Sequence, residues 1–453
     1  MLWQWISRIL SLDPHSSIIL LNDVFLFLAI GLCYRFIRKS IGERTALIAT
    51  ILIVSNPVVL YYAAVAEIYI YDLFFSVGIL YAMSNWKAKF IPLAFFLLGI
   101  AMGFRLSSVI LLFPVILFVL WQRQERKEIF SFRIVLSSFL LLCIGASVWL
   151  IPFYVSEGGF ASVEKALHNA ADLGSTIFQN AAVYFSYLLW SVNLGIFVFL
   201  IRKKKEKADA KKKIMLLSWF IIPTLFFIFQ HYAKGYILLI FPPLILPIAG
   251  RLSKIEASNL RRSLVSILTA ANLILFFFTP FISPSIESAL PKAQRSSSER
   301  LQTAFFRSLS FFAPTYSHIA ISDAAMMEAD TLIMRNSPPH SHILIDNSAS
   351  VWAFPRSLQA HFSSRVFIQP NSMDTALMAV FYSSKRGSEV DRTVQAESIL
   401  QLDTLYYLID PQFVKTYGTP PDAMLLISGS YLSLYEVTAK NKDLFWKYCR
   451  KSK

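Results

Sequence analysis

Glu67, Arg105, His231, Tyr232, Lys234 and Tyr236 are the residues of this 453-residue chain whose types and spacing could do chemistry together. Glu67 lies in SNPVVLYYAAVAEIYIYD (Ser55–Asp72), where one apolar run arrives at Asn56-Pro57 and the next departs with Glu67, Tyr69 and Asp72 at its mouth. Proline has no amide proton and biases the preceding residue away from helix, so Asn56-Pro57 marks a bend or a helix end. A carboxylate at the end of an apolar run is costly unless it meets water or a partner, which makes Glu67 a site candidate. The other group sits in FQHYAKGYILLIFPP (Phe229–Pro243), a second turn between apolar runs. Lys234 offers a point charge, and His231 and Tyr232 offer hydrogen bonds; the set suits a phosphate at a membrane surface, and Arg105 adds a second cation. The same residues also suit simple anchoring of helix ends, with Lys234 snorkelling and the tyrosines resting at the interface. Residue chemistry alone leaves both readings open.

The elements that carry these residues are apolar. The chain is 55% hydrophobic and only 16% charged, with a mean hydropathy of +0.53, too apolar for an ordinary soluble protein. A net charge of +15 would fit a nucleic-acid binder, but the placement of Lys and Arg in short loops between apolar runs excludes that class. Cys33 and Cys143 lie inside apolar runs and Cys449 near the end, so neither a disulfide framework nor a metal spacing is visible. Met1 to Ser17 reads as an amphipathic, Trp-bearing surface segment rather than a cleavable signal peptide.

Apolar runs long enough, or nearly so, to cross a bilayer predict ten spans, at about 18–37, 45–62, 67–84, 90–105, 107–121, 132–152, 181–201, 214–230, 236–250 and 263–283. Pro242-Pro243 is expected to break the ninth. The loops alternate in basic content. One set holds Arg38, Lys39, Arg44, Lys87, Lys89, Arg123, Arg126, Lys127, Arg133, the run RKKKEKADAKKK (Arg202–Lys213), Arg251, Lys254, Arg261 and Arg262. The other holds only Arg8, Arg105, Lys165 and Lys234. Basic loops stay in the cytoplasm. That places Glu67, Arg105, the 153–180 loop, the His231–Tyr236 turn and both chain ends outside. Phe160 to Leu173 could form an amphipathic surface helix, and Glu157, Glu164, His168 and Asp172 around it read as solvated surface.

From Pro284 onward polar residues rise and apolar runs shorten to strand length. His342–Ile345, Val366–Ile368, Leu405–Ile409 and Met424–Ile427 read as buried strands, with Tyr431–Val437 as a further one after a Ser428-Gly429-Ser430 turn. Helices are expected near 321–335, 350–362 and 373–383. The expectation is therefore an α-helical polytopic membrane domain over 1–283 and an extracytoplasmic α/β domain over 284–453. Asp346, directly after the first strand, stands where ligand sites of such sheets often lie.

AAVAEIYIYDLFF (Ala63–Phe75), AMGFRLSS (Ala101–Ser108) and HYAKGYILLIFPP (His231–Pro243) resemble the dolichyl-phosphate-mannose protein mannosyltransferase superfamily, polytopic glycosyltransferases of GT-C type. Ser337-Pro338-Pro339 leading into Ile345 is similar to the outer domain of its bacterial members. The resemblance implies a multi-pass glycosyltransferase of the cytoplasmic (inner) membrane. Its donor would be a polyprenyl-phosphate-linked sugar, and its acceptor a glycan, a lipid or a protein outside the cytoplasm. Arg105, His231, Tyr232, Lys234 and Tyr236 would then face the lipid phosphate. Glu67 matches the family's outer-loop acid; it would act in catalysis by orienting the sugar or, paired with His231, by holding a divalent metal ion. The chain departs from the family in one respect: the family has a further span and a long acid-bearing loop before the region of Ser17–Ile37, and MLWQWISRILSLDPHSS resembles only the end of that loop. Asp13 is no ready substitute for the acid that loop carries, so this form is expected to turn over weakly without an upstream segment. Two other classes compete: a flippase for lipid-linked glycans, which paired repeats would favour, and a non-catalytic relative that binds the lipid-linked sugar.

Overall fold

The computed structural model describes residues 9–11, 14–65, 67, 69–84, 90–117, 132–157, 177–200, 210–229, 234–278, 314–346, 349, 358, 364–370, 377–383, 389–395, 402, 405–437 and 442–449. Contacts divide the chain into two units, Met1–His318 and Ile319–Lys453.

The first unit is helical: α1 (Pro14–Ser40), α2 (Glu43–Val54), α3 (Pro57–Ala64), α4 (Tyr69–Ser84), α5 (Ile91–Phe104), α6 (Phe132–Glu157), α7 (Ile177–Val192), α8 (Ala210–Phe229), α9 (Phe241–Ser253) and α10 (Ser258–Phe277). Short 3-10 helices lie at Leu106–Leu111, Asn193–Leu200 and Lys234–Ile240. Among the described residues five helical segments are long and apolar enough to cross a bilayer, up to six with the bent pair α2–α3. Apolar side chains such as Phe27, Phe139 and Ile267 are exposed, as lipid contact requires of a polytopic membrane protein.

Asn56-Pro57 is the bend. Helix α2 ends at Val54, α3 starts at Pro57, and the two axes differ by 56°. Pro57 occupies the first helical position, where a missing N–H costs nothing, and the Asn56 side chain accepts from the Val58 N–H as the N-cap. Its Nδ2 donates to Ser191 O at 2.7 Å, so the bend is tied to α7 as well. Helices α5 and α6 approach closely because Gly99 and Gly145 face each other: a Cβ on Gly99 would lie 2.5 Å from Leu142 O, and one on Gly145 would strike Phe96 O.

The proline pair at 242–243 does not interrupt its span, which runs from Gly235 to Ser253. It changes the helix type there, from 3-10 over Lys234–Ile240 to α in α9. The carbonyl of Leu239 has no helical donor, since three and four residues on stand Pro242 and Pro243, both without N–H. Ser76 of α4 donates to it from Oγ at 2.7 Å, and Trp219 Nε1 of α8 donates to Ser76 Oγ at 2.9 Å and reaches the same carbonyl at 3.3 Å. Those bonds lock the Lys234–Ile240 segment against α4.

The second unit holds a seven-stranded sheet in the order β4-β3-β2-β1-β5-β7-β6. Its strands are β1 (His342–Ile345), β2 (Val366–Pro370), β3 (Leu377–Ser383), β4 (Glu389–Gln395), β5 (Leu405–Ile409), β6 (Ala423–Ser428) and β7 (Ser433–Val437). Central β1 runs parallel to β2 and β5, and the remaining pairs are antiparallel. Alternation divides the side chains between two cores. Ile343, Ile345, Tyr406 and Leu408 pack with Ala329, Leu332 and Ile333 of α11 (Tyr316–Asn336) on one face. Leu344, Leu405, Tyr407 and Ile409 pack with Phe445 and Tyr448 of α13 (Lys442–Cys449) on the other, next to α12 (Pro411–Tyr417). All of β5 is thus buried, as a strand covered on both faces must be. Glu328 of α11 fixes the β6–β7 hairpin by accepting the N–H groups of Ser430, Tyr431 and Leu432 at 2.8, 2.8 and 2.7 Å.

The expected helix near 373–383 is corrected: Leu377–Ser383 is strand β3, hydrogen-bonded to β2 and β4. A short, mostly apolar run does not reveal its period; it is strand because it forms an antiparallel meander with its two sequence neighbours, Pro370 opposite Met378 and Ser383 opposite Glu389. The segments at 350–362 and 160–173 lie outside the described residues, apart from Leu358.

Candidate functional site

Helix α5 ends at Phe104, and a 3-10 turn starts at Leu106; between them Arg105 is extended, with φ −151° and ψ 119°. Its main chain is satisfied locally: its N–H donates to Ala101 O at 3.0 Å and its carbonyl accepts from Ser108 N at 2.9 Å. This break is where the site is built, because it turns the long side chain away from either helix and toward the start of α4.

Arg105 Nη1 donates to Asp72 Oδ2 at 2.5 Å. The other oxygen of Asp72 faces Ser108 Oγ at 3.4 Å. Asp72 stands in the first turn of α4, where the helix dipole favours a carboxylate. Both side chains are nearly excluded from solvent, Arg105 at 9% and Asp72 at 5% exposure. A buried charge of either sign would be severely penalised alone, so each requires the other. The guanidinium is also held between two rings. Its Cζ lies 3.6 Å from the Tyr236 ring centroid and 4.4 Å from that of Tyr69. Ring stacking of this kind contributes about 2 kcal/mol when desolvated. The rings are themselves buttressed, Tyr69 by Tyr62 at 4.8 Å and Tyr236 by Phe227 at 4.5 Å between centroids. Gly235 makes the sandwich possible, because a Cβ there would collide with the Tyr69 ring.

One guanidinium nitrogen is therefore committed to Asp72. Among the described residues no acceptor is bonded to Nε or Nη2 of Arg105. A planar, oriented donor set of that kind is suited to a phosphate.

Glu67 is exposed, on the turn between α3 and α4. Its main chain is fixed at both ends: its N–H donates to Val65 O at 2.8 Å, and its carbonyl accepts from Asn22 Nδ2 of α1 at 2.9 Å. The turn leads within two residues to Tyr69. Arg105, Tyr236 and the Glu67 turn are thus linked through Tyr69. Lys234 opens the 3-10 helix that carries Tyr236; its side chain, and His231 and Tyr232 entirely, lie outside the described residues, as does Asp13. The pairing of Glu67 with His231 on a metal therefore lies outside the described residues, among which no group of three His, Cys, Asp or Glu side chains gathers.

Three features escaped the sequence reading. Asp72 was visible as an acid at the mouth of a span, but its ion pair with Arg105 bridges two helices. Tyr69 was read as an interface residue and is half of the aromatic clamp. Asn22 carried no signal at all. In the sheet unit, Asp346 is fully buried and accepts from Tyr407 Oη at 2.5 Å, so it is a satisfied core group.

Residues 2–151 match the family model of dolichyl-phosphate-mannose-protein mannosyltransferases. The chain is similar in structure to ArnT, a GT-C glycosyltransferase, from Cupriavidus metallidurans. The crystal structure of ArnT bound to undecaprenyl phosphate shares 11% identity over 94% of this chain and 84% of that one, with a TM-score of 0.53. The apo structure shares 12% identity over 93% and 83%, with a TM-score of 0.56. No curated protein matches the chain. The matched region takes in Ala63–Phe75 and Ala101–Ser108, with His231–Pro243 outside it, and the fold is that of a GT-C-like polytopic membrane protein.

Proposed function

We propose that this GT-C-like membrane protein is a glycosyltransferase that takes a sugar from a polyprenyl-phosphate carrier and passes it to a glycan, lipid or protein acceptor outside the cytoplasm. The observation that carries the reading is Arg105: a nearly buried guanidinium, anchored by Asp72 and clamped by Tyr69 and Tyr236, whose Nε and Nη2 have no acceptor among the described residues. As the bond between the sugar and the phosphate breaks, negative charge gathers on the departing phosphate oxygens. A donor already oriented in a dry site stabilises that charge without reorganising. Lys234, His231 and Tyr232 shortly precede Tyr236 in the sequence, and their chemistry suits the same phosphate. Both oxygens of Asp72 are directed at Arg105 and Ser108, so Asp72 supports the cation, and exposed Glu67 is the acid placed to take the acceptor's proton. The bound undecaprenyl phosphate of the ArnT structure supports the class of lipid.

The charge asymmetry of the loops supports the sidedness. With the loops at 38–44, 122–131, 202–213 and 251–262 in the cytoplasm, ten crossings put the Glu67 turn, Arg105 and the sheet unit on the extracytoplasmic side of the inner membrane. Cysteine labelling in intact cells checks this: Thr416→Cys, at an exposed position of the sheet unit, is labelled directly and Lys204→Cys only after permeabilisation.

Transfer is tested in proteoliposomes by the release of polyprenyl phosphate from polyprenyl-phosphate hexoses. The wild-type chain is expected to release it slowly, and Glu67→Gln to lower that rate about 10²-fold or more while still binding the donor. A wild-type chain that binds these donors and releases from none would contradict transfer and leave a binding protein.

A further inference from the structure

Asn22 of α1 is fully buried, and its amide nitrogen meets three main-chain carbonyls: Val65 at 2.8 Å, Glu67 at 2.9 Å and Tyr62 at 3.3 Å. An amide has two N–H groups. The two short bonds go to Val65 and Glu67, and Tyr62 shares one of them. The carbonyls have a reason to need it. Tyr62 lies in the last turn of α3, where carbonyls run short of helical donors; the cap N–H of Val65 goes to Tyr61 O. Val65 and Glu67 follow in the turn, where Val65 O receives only a tight i→i+2 bond from Glu67 N–H. One side chain from another helix therefore holds the carbonyls of Tyr62, Val65 and Glu67 together.

The other end of the amide gives a second, independent observation. Asn22 Oδ1 is buried and, among the described residues, has no hydrogen-bond partner. A flipped amide would point that oxygen at three carbonyl oxygens, so the orientation is dictated by the turn. A group that leaves its own acceptor unsatisfied in the core is poorly chosen for stability. It is well chosen for holding the carbonyls.

We infer that Asn22 is a positioning residue: its amide pins the Tyr62–Glu67 turn and, through the two residues that follow, sets the Tyr69 ring against Arg105. The consequence for ligand binding rests on the reading of Arg105 as the polyprenyl-phosphate site; the pinning of the turn does not. Three groups of the site follow from one anchor. Glu67 has both main-chain groups fixed, Tyr69 starts α4, and Asp72 lies in that helix's first turn. Sites in which the acting groups are held by a fixed support keep their geometry better than sites on free loops.

The experiment uses the full chain in detergent, with Asn22→Leu, the nearly isosteric Asn22→Asp, and Asn56→Ala as the control. Asn56 is an equally buried asparagine tying another turn to α7, so its loss reports a purely structural effect. Two readouts are taken: hydrogen exchange over 61–72, and equilibrium binding of a short-chain polyprenyl phosphate. Both Asn22 variants are expected to raise exchange at Glu67 about tenfold and to weaken binding about tenfold. Asn56→Ala is expected to leave exchange over 61–72 unchanged and binding within about twofold. Unchanged exchange in the Asn22 variants would overturn the pin. Raised exchange with unchanged affinity, or equal losses in Asn56→Ala, would reduce Asn22 to a structural residue and overturn its positioning role. Should one Asn22 variant fail to fold, the other carries both readouts. A wild-type chain that does not bind the lipid would instead refute the proposed function, and exchange at Glu67 would still decide the pin.

Discussion

Arg105 Nη1 donates to Asp72 Oδ2 across 2.5 Å, joining the C-terminal end of α5 to the first turn of α4 in a site that is almost dry. The pair is a support before it is anything else, because a single guanidinium in that environment would need a counter-charge whether or not a substrate ever arrived. Removing either partner leaves the other charge buried, which typically costs about 3–5 kcal/mol. Asp72→Leu and Arg105→Met are each expected to lower the thermal midpoint in detergent, and the double variant to recover more than half of the loss. Additive losses in the double variant would show that the two residues do not depend on each other.

Gly235 is required by the aromatic clamp. Any Cβ at 235 meets the Tyr69 ring, so Gly235→Ala is expected to displace that ring and to destabilise the protein by about 1–3 kcal/mol. Adding Tyr69→Ala should restore the midpoint without restoring affinity for a polyprenyl phosphate, since the stack on Arg105 is then absent. Stability and binding measured on the same two variants separate the effects. Retained affinity in Gly235→Ala would remove Tyr69 from the site.

In the sheet unit, burial pushes the His342 pKa below its ordinary value. The unfolded chain therefore binds the extra proton first. Stability contributed by the neutral imidazole is fully present above about pH 6.5 and is lost as pH falls through the lower folded value. Thermal midpoints recorded from pH 7.5 down to pH 5 should fall more steeply in the wild-type chain than in His342→Asn. Equal slopes would mean that His342 takes no part.

The sequence showed what local chemistry decides. Asn56-Pro57 announced the bend because a cap and a proline act within one turn. The strands at His342–Ile345 and Leu405–Ile409 were legible as uninterrupted apolar runs of the length a doubly covered strand needs. Strand β4, Glu389–Gln395, was not, since EVDRTVQ contains three charged residues and is held by its ladder to β3. The same division runs through the site. Arg105 and Tyr236 were found because a cation and an aromatic at the ends of apolar runs are conspicuous. Their relation to Asp72 and Tyr69, and the amide of Asn22 across 45 residues from Glu67, are matters of helix packing, and no short-range pattern encodes them.

In the proposed function Arg105 reads a phosphate, and equilibrium binding of a polyprenyl phosphate and of the matching uncharged polyprenol to purified wild-type and Arg105→Gln protein tests this most directly. A charged hydrogen bond in a dry site is worth about 1.5–3 kcal/mol. The wild-type chain should therefore prefer the phosphate to the alcohol by about tenfold or more, and Arg105→Gln should lose that preference while binding the alcohol unchanged. Equal phosphate affinity in the two proteins would contradict it.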